Sequence, residues 1–117
     1  MKRLFSATAN SFRGLIDGFR TEAALRDEAL LLVAALPLGI IVAPSVLWYV
    51  LMIGAVLVVM AVEFLNTGLE KLADYVTREQ QVVIGRIKDF GSAAVFCGLC
   101  LTGLVWLTAL AVRLRLF

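Results

Sequence analysis

The sequence predicts an all-α membrane protein, in which an N-terminal amphipathic surface helix is followed by three transmembrane helices. Three observations predict it. Apolar residues make up 62% of the 117 residues and charged residues only 17%, far from ordinary soluble usage. Ala29 to Val62 runs for 34 residues without an Asp, Glu, Lys or Arg, and Gly91 to Val112 is a second uncharged run of 22. The length fits one domain, and the net charge of +2 is too small to argue for a nucleic-acid partner. No secretory signal is expected, because the charged N-terminus leads into polar and charged residues rather than an apolar stretch with a small-residue cleavage site.

Residues 1–28 form the predicted surface helix. Phe5, Phe12, Ile16, Phe19 and Ala23 recur at roughly helical spacing, with Arg13, Asp17 and Arg20 off that stripe. A basic, aromatic helix of this kind suits a position at the bilayer surface with its Phe side chains dipped into the acyl boundary. Gly14 and Gly18 weaken it, and Thr21 can cap a fresh start. Glu22-Ala-Ala-Leu-Arg26-Asp27-Glu28 then leads into the apolar run, where Glu22 and Arg26 stand at i, i+4 as a solvated pair worth only tenths of a kcal/mol.

Ala29 to Val62 is too long for one crossing, since a single helix would run ~50 Å against a hydrocarbon core of ~30 Å. Pro44, which pushes Ala43 out of helical geometry, is the corner. Spans are therefore expected at about 29–42 and about 45–72, with Pro37 kinking the first. Trp48 and Tyr49 mark an interfacial belt just after the corner. Residues 73–90, rich in charge, form a polar link, and about 91–112 is the third span, ~33 Å long. Three crossings place nine of the eleven Lys and Arg on one face, which the positive-inside rule makes cytoplasmic. A re-entrant first segment would split the two basic regions between opposite sides, and the charge count argues against it.

Cys97 and Cys100 have dithiol spacing but lie inside an apolar span without basic neighbours, so they are expected to be small buried hydrophobes. Gly91-Ser92-Ala-Ala94, with Gly98, supplies the small residues of close helix contact in lipid, and Ser92 stands between that role and a lipid-headgroup contact.

The polar stripe of the second span is the chemical centre of the chain. Glu63, Asn66, Glu70 and Asp74 fall at i, i+3, i+7 and i+11, on one helix face. Carboxylates at the mouth of such a segment are costly unless they pair, bind a cation or face water. A helix simply ending in solvent accounts for Glu70 and Asp74, but less well for Glu63. Two carboxylates two turns apart with an amide between them can also hold a cation such as Mg²⁺ and abstract a proton. The chain has no His, so a general base must be a carboxylate, Lys, Tyr or Cys, and it has no glycine-rich phosphate loop. Acidic residues for a metal and Lys88 for phosphate are the minimum parts of phosphoryl transfer.

Glu63-Phe-Leu-Asn66-Thr-Gly-Leu-Glu70, then Lys88-Asp89-Phe-Gly91-Ser92-Ala-Ala-Val95, with Glu22 to Glu28 upstream, resembles the small integral-membrane diacylglycerol kinases of bacteria over nearly the whole chain. The resemblance implies a homotrimer in the inner membrane, with three spans and a surface helix per chain and with the N-terminus and active site cytoplasmic. It implies transfer of the γ-phosphate of MgATP to the hydroxyl of diacylglycerol, giving phosphatidic acid. On this likeness Glu63 is the general base, Glu22 and Glu70 hold Mg²⁺, and Lys88 and Asp89 engage ATP. Arg3, Asn10, Glu79 and Gln81 complete the ATP set, while Asn66 and Ser92 join Glu63 at the lipid substrate. The chain departs from the family's pattern at Gln81, where a His is common, and at Asn10, near a common Tyr. Glu28 matches a family acidic position and is given no role beyond ordering the lead-in turn.

Undecaprenol kinases are the close alternative, with the same chemistry on a longer lipid alcohol; Gly91-Ser92-Ala-Ala leans towards the diacylglycerol branch. A small cation-coupled transporter is the rival from another class, but it would place its carboxylate near mid-span and needs no Lys88-Asp89 pair.

Overall fold

The computed structural model describes residues 1–117 and contains four helices and no strand: α1 (Lys2–Thr21), α2 (Ala23–Val42), α3 (Val46–Val76) and α4 (Val82–Arg113). α3 and α4 pack along each other, α2 lies mainly against α3, and α1 lies against α2. The body measures 53 × 41 × 24 Å.

The corner between α2 and α3 forms where Pro44 requires it. Ala43 is extended, and Ser45 caps α3 by accepting a hydrogen bond from the Trp48 amide at 3.3 Å. Tyr49 reaches back across the corner and donates to the Leu36 carbonyl at 3.0 Å, beside Pro37, which stays inside α2. Its ring packs on Gly39, where a Cβ would be crowded. Two further polar ties join α3 and α4: Thr102 Oγ1 donates to the Ala55 carbonyl and Trp106 Nε1 to the Met52 carbonyl. Met52, Ala55, Val56, Val59 and Met60 of α3 make up most of the core, with Gly98 and Ala109 of α4 against them.

Several boundaries differ from expectation. The first helix ends at Thr21 rather than near residue 28, and Thr21 caps nothing; its hydroxyl donates back to the Asp17 carbonyl. Glu22, extended at φ −117°, ψ 115°, is the whole joint between α1 and α2. The polar link shrinks from 73–90 to Thr77–Gln81, because Arg86, Lys88 and Asp89 extend α4 as a solvated helix instead of breaking it. Charged side chains halt a membrane span, not a helix.

Two helices are long and apolar enough to cross a membrane, α3 and α4. In α2, Arg26, Asp27 and Glu28 occupy the early turns, leaving Ala29–Val42 free of charge, about 21 Å at ~1.5 Å per residue. The cysteines also differ from expectation. Cys97 and Cys100 are exposed, because Gly91, Gly98 and Ala109 hold the α3-facing side of α4 and the two thiols lie off it.

Candidate active site

The site starts from the stripe on α3. Glu63 and Asn66 are half-buried and Glu70 is exposed. The Asn66 amide Nδ2 donates to Glu70 Oε1 at 3.4 Å, a long bond that ties the second and third members of the stripe. The other end of the same amide is different. Asn66 Oδ1 is buried without a hydrogen-bond partner and points at the Cα of Gly91 on α4. A Cβ at position 91 would collide with Asn66 Oδ1 and press on Leu69 Cδ2 at 3.1 Å. Gly91 therefore sets how deeply the amide seats between α3 and α4. The small-residue run of α4 pointed to close packing, but nothing in the sequence paired Gly91 with Asn66.

Glu63 lies within the field of two other carboxylates, Glu28 of α2 and Glu70 of its own helix. Next to it, Phe64 carries the α1 contact. Its ring meets that of Phe19 edge to face at 5.6 Å, and Gly18 lets α1 approach the same ring more closely than any side chain would permit. α1 thus crosses α3 one residue from Glu63. Gly18, expected only to weaken the first helix, is a packing position.

The Glu22–Arg26 pair expected from the i, i+4 spacing does not form. Arg26 Nη1 donates instead to the carbonyls of Phe19 and Arg20, satisfying the C-terminal end of α1 at 3.3 and 3.0 Å. Glu22 turns the other way and pairs with Lys71 of α3, Nζ to Oε1 at 2.6 Å. Helix C-terminal carbonyls attract a cation, and this claim on Arg26 frees the Glu22 carboxylate for α3.

Lys88 donates to Asp74 Oδ1 at 2.7 Å, joining the foot of α3 to the first turns of α4. Beside them a polar cleft of about 380 Å³ is lined by Asp74, Thr77, Arg78, Glu79, Gln81 and Lys88. Asp89 is exposed and takes part in neither of the two ion pairs. Ser92 is exposed as well, one residue beyond Gly91. Arg3 and Asn10 lie exposed on α1, where Asn10 Oδ1 accepts from the Arg13 guanidinium.

The single chain thus groups the residues in two sets. Glu63, Asn66 and Glu70 share one stripe of α3, with Glu22 of the α1–α2 joint tied to Lys71 of the same helix, and Glu79, Gln81 and Lys88 share the cleft at the α3–α4 turn. Nowhere do three Asp, Glu or Cys side chains cluster tightly enough to enclose a metal by themselves. The donor set nevertheless suits Mg²⁺, which takes hard oxygen ligands and is commonly held by one or two carboxylates together with substrate phosphates.

A profile of the family described as "Prokaryotic diacylglycerol kinase" matches residues 9–110. The chain is 39% identical over 106 residues to a diacylglycerol kinase of Haemophilus influenzae, covering 91% of this chain and 90% of that one. It is 36% identical over 110 residues to a diacylglycerol kinase of Pseudomonas aeruginosa, covering 94% and 89%. Against a diacylglycerol kinase of Escherichia coli it is 33% identical over 104 residues, covering 89% and 85%.

Proposed function

The chain belongs to the prokaryotic diacylglycerol kinase family, and on that premise we propose that it transfers the γ-phosphate of MgATP to the free hydroxyl of diacylglycerol, giving phosphatidic acid. The observation in the structure that best supports this chemistry is the half-buried Glu63 carboxylate on one face of α3 with Asn66 and Glu70, where the Asn66 amide donates to Glu70. A lipid hydroxyl has one proton to give, and the Glu63 carboxylate is the group that takes it.

In this mechanism Glu63 removes the hydroxyl proton as the oxygen attacks the γ-phosphorus, the bond from that phosphorus to the β,γ-bridging oxygen breaks, and ADP leaves. Phosphoryl transfer depends mostly on positioning and charge neutralisation, so the remaining residues hold reactants in line. Asn66 and Ser92 orient the lipid headgroup. Lys88 and Asp89 engage the nucleotide, with Glu79 and Gln81 at the α3–α4 turn and Arg3 and Asn10 from α1. Glu22 and Glu70 are the residues that would hold Mg²⁺, whose chemistry when bound is to neutralise charge on the phosphate oxygens.

The proposal extends to topology and assembly. α2 joins α3 and α4 as a third span, α1 lies on the cytoplasmic surface of a bacterial inner membrane, and three chains associate. Support comes from the basic N-terminus and link, and from the broad exposed apolar faces of α2 and α4.

The direct test supplies detergent-solubilised protein with γ-labelled ATP and either diacylglycerol or undecaprenol. Label in phosphatidic acid is expected. Label confined to undecaprenol would move the chain to the other lipid alcohol, and label in neither would remove the kinase activity altogether.

A further inference from the structure

Lys71 is the one cation that touches the proposed metal carboxylates, and no step above uses it. It follows Glu70 directly on α3, and its ammonium lies 2.6 Å from Glu22 Oε1. Glu22 had nearer options. It is the N-cap residue of α2, yet its side chain makes no cap hydrogen bond. Arg26 stands four residues away but is taken by the carbonyls of Phe19 and Arg20. Because Glu22 alone forms the joint between α1 and α2, no helical register fixes where its carboxylate points. Lys71 fixes it, by drawing it across to α3.

We propose that Lys71 is a resident counterion of Glu22 that competes with the divalent cation for this carboxylate, so that Lys71 raises the metal concentration the site requires. The inference rests on Glu22 being a metal ligand, as proposed above. A carboxylate oxygen occupied by an ammonium at contact distance is not available to a metal, and a departing Lys71 loses that contact. The pair is partly open to water, with 62% of the Lys71 side chain and 27% of the Glu22 side chain accessible. Exposed ion pairs are weak, so the competition corresponds to about a two- to fivefold change in metal affinity rather than a block. As an exposed residue, Lys71 can be changed without disturbing the core.

The experiment titrates Mn²⁺ into the full-length protein in detergent with a non-hydrolysable ATP analogue, following binding by calorimetry. Lys71→Met is expected to tighten Mn²⁺ about two- to fivefold, while Lys71→Arg, which keeps the pair, stays at the parent value. Glu22→Gln is expected to weaken Mn²⁺, and adding Lys71→Met to it should then change nothing further. Unchanged or weaker binding in Lys71→Met, with Glu22→Gln still weakened, overturns the counterion and leaves Glu22 as a ligand. The same tightening in the Glu22→Gln background also overturns it, because Lys71 would then act on the metal through general repulsion. If Glu22→Gln leaves Mn²⁺ binding at the parent value, the metal role of Glu22 falls and the counterion falls with it.

Discussion

Glu63 is half-buried and flanked by two other carboxylates, and the chain has no His to take over the role of base proposed for it. Glu63→Gln is expected to keep the fold and lower turnover about 10²- to 10⁴-fold, the usual cost of removing a positioned base. A variant retaining more than about half the parent rate would take Glu63 out of that role. Gly91 makes a sharper case, because its effect acts through another residue. Gly91→Ala drives a methyl group into Asn66 Oδ1, and overpacking of this kind typically costs about 1–3 kcal/mol. The amide must then leave its seat, so activity should fall to the level of Asn66→Ala, with the double variant no worse than Asn66→Ala alone. Additive losses in the double variant would show that the two residues act separately. At this scale the sequence shows the polar stripe but not the contacts its members make. Glu63, Asn66 and Glu70 are legible from spacing on one helix, whereas Lys71 on Glu22 and Gly91 against Asn66 depend on contacts 49 and 25 positions apart in the chain.

Among the elements, α1 has the lightest attachment. It contains no buried residue, and its position rests on the Phe19–Phe64 edge contact, the close approach at Gly18, and the hold of Arg26 on its last carbonyls. Gly18→Leu would fill the space that the Phe64 ring now takes, and α1 is expected to lift from α3. Limited trypsin digestion at Arg20 should accelerate several-fold while the α3–α4 pair stays resistant, and an unchanged cleavage rate would deny Gly18 its packing role. The element boundaries show which sequence signals carry and which do not. Pro44 marks the α2–α3 corner from covalent geometry alone. The polar link expected over 73–90 is non-helical only over Thr77–Gln81, because charge marks where a span ends and not where a helix ends, and Val82 to Asp89 are helical. Residue type points to Thr21 as a cap, but the joint falls one position later, at Glu22.

For the molecule as a whole, only 12 of 117 residues are buried, and large apolar side chains stand exposed along all four helices. A chain this open depends on what surrounds it, lipid or further copies, and Asp89 and Ser92 are both exposed. If sites are completed between chains, with Glu63 from one and Asp89 from the next, then inactive Glu63→Gln and Asp89→Asn proteins should regain activity when unfolded and refolded together in detergent. No recovery in mixed assemblies verified by differential tagging would place both residues within one chain. The sequence made the apolar surface legible but could not say which part meets lipid and which meets protein, because both require the same residues. The length of α3 has a further bearing on how such an enzyme meets its substrate. Glu63 lies about 26 Å along the axis from Val46 at ~1.5 Å per residue, close to the ~30 Å depth of a hydrocarbon core. Chemistry at that level needs no extraction of the lipid, whose tails remain dissolved while its hydroxyl reacts. Encounter is then two-dimensional: in mixed micelles the rate should follow the mole fraction of diacylglycerol in the micelle and stay constant when micelles are simply diluted with buffer. A rate that instead tracked the bulk lipid concentration would mean that the substrate leaves the bilayer plane before it reacts.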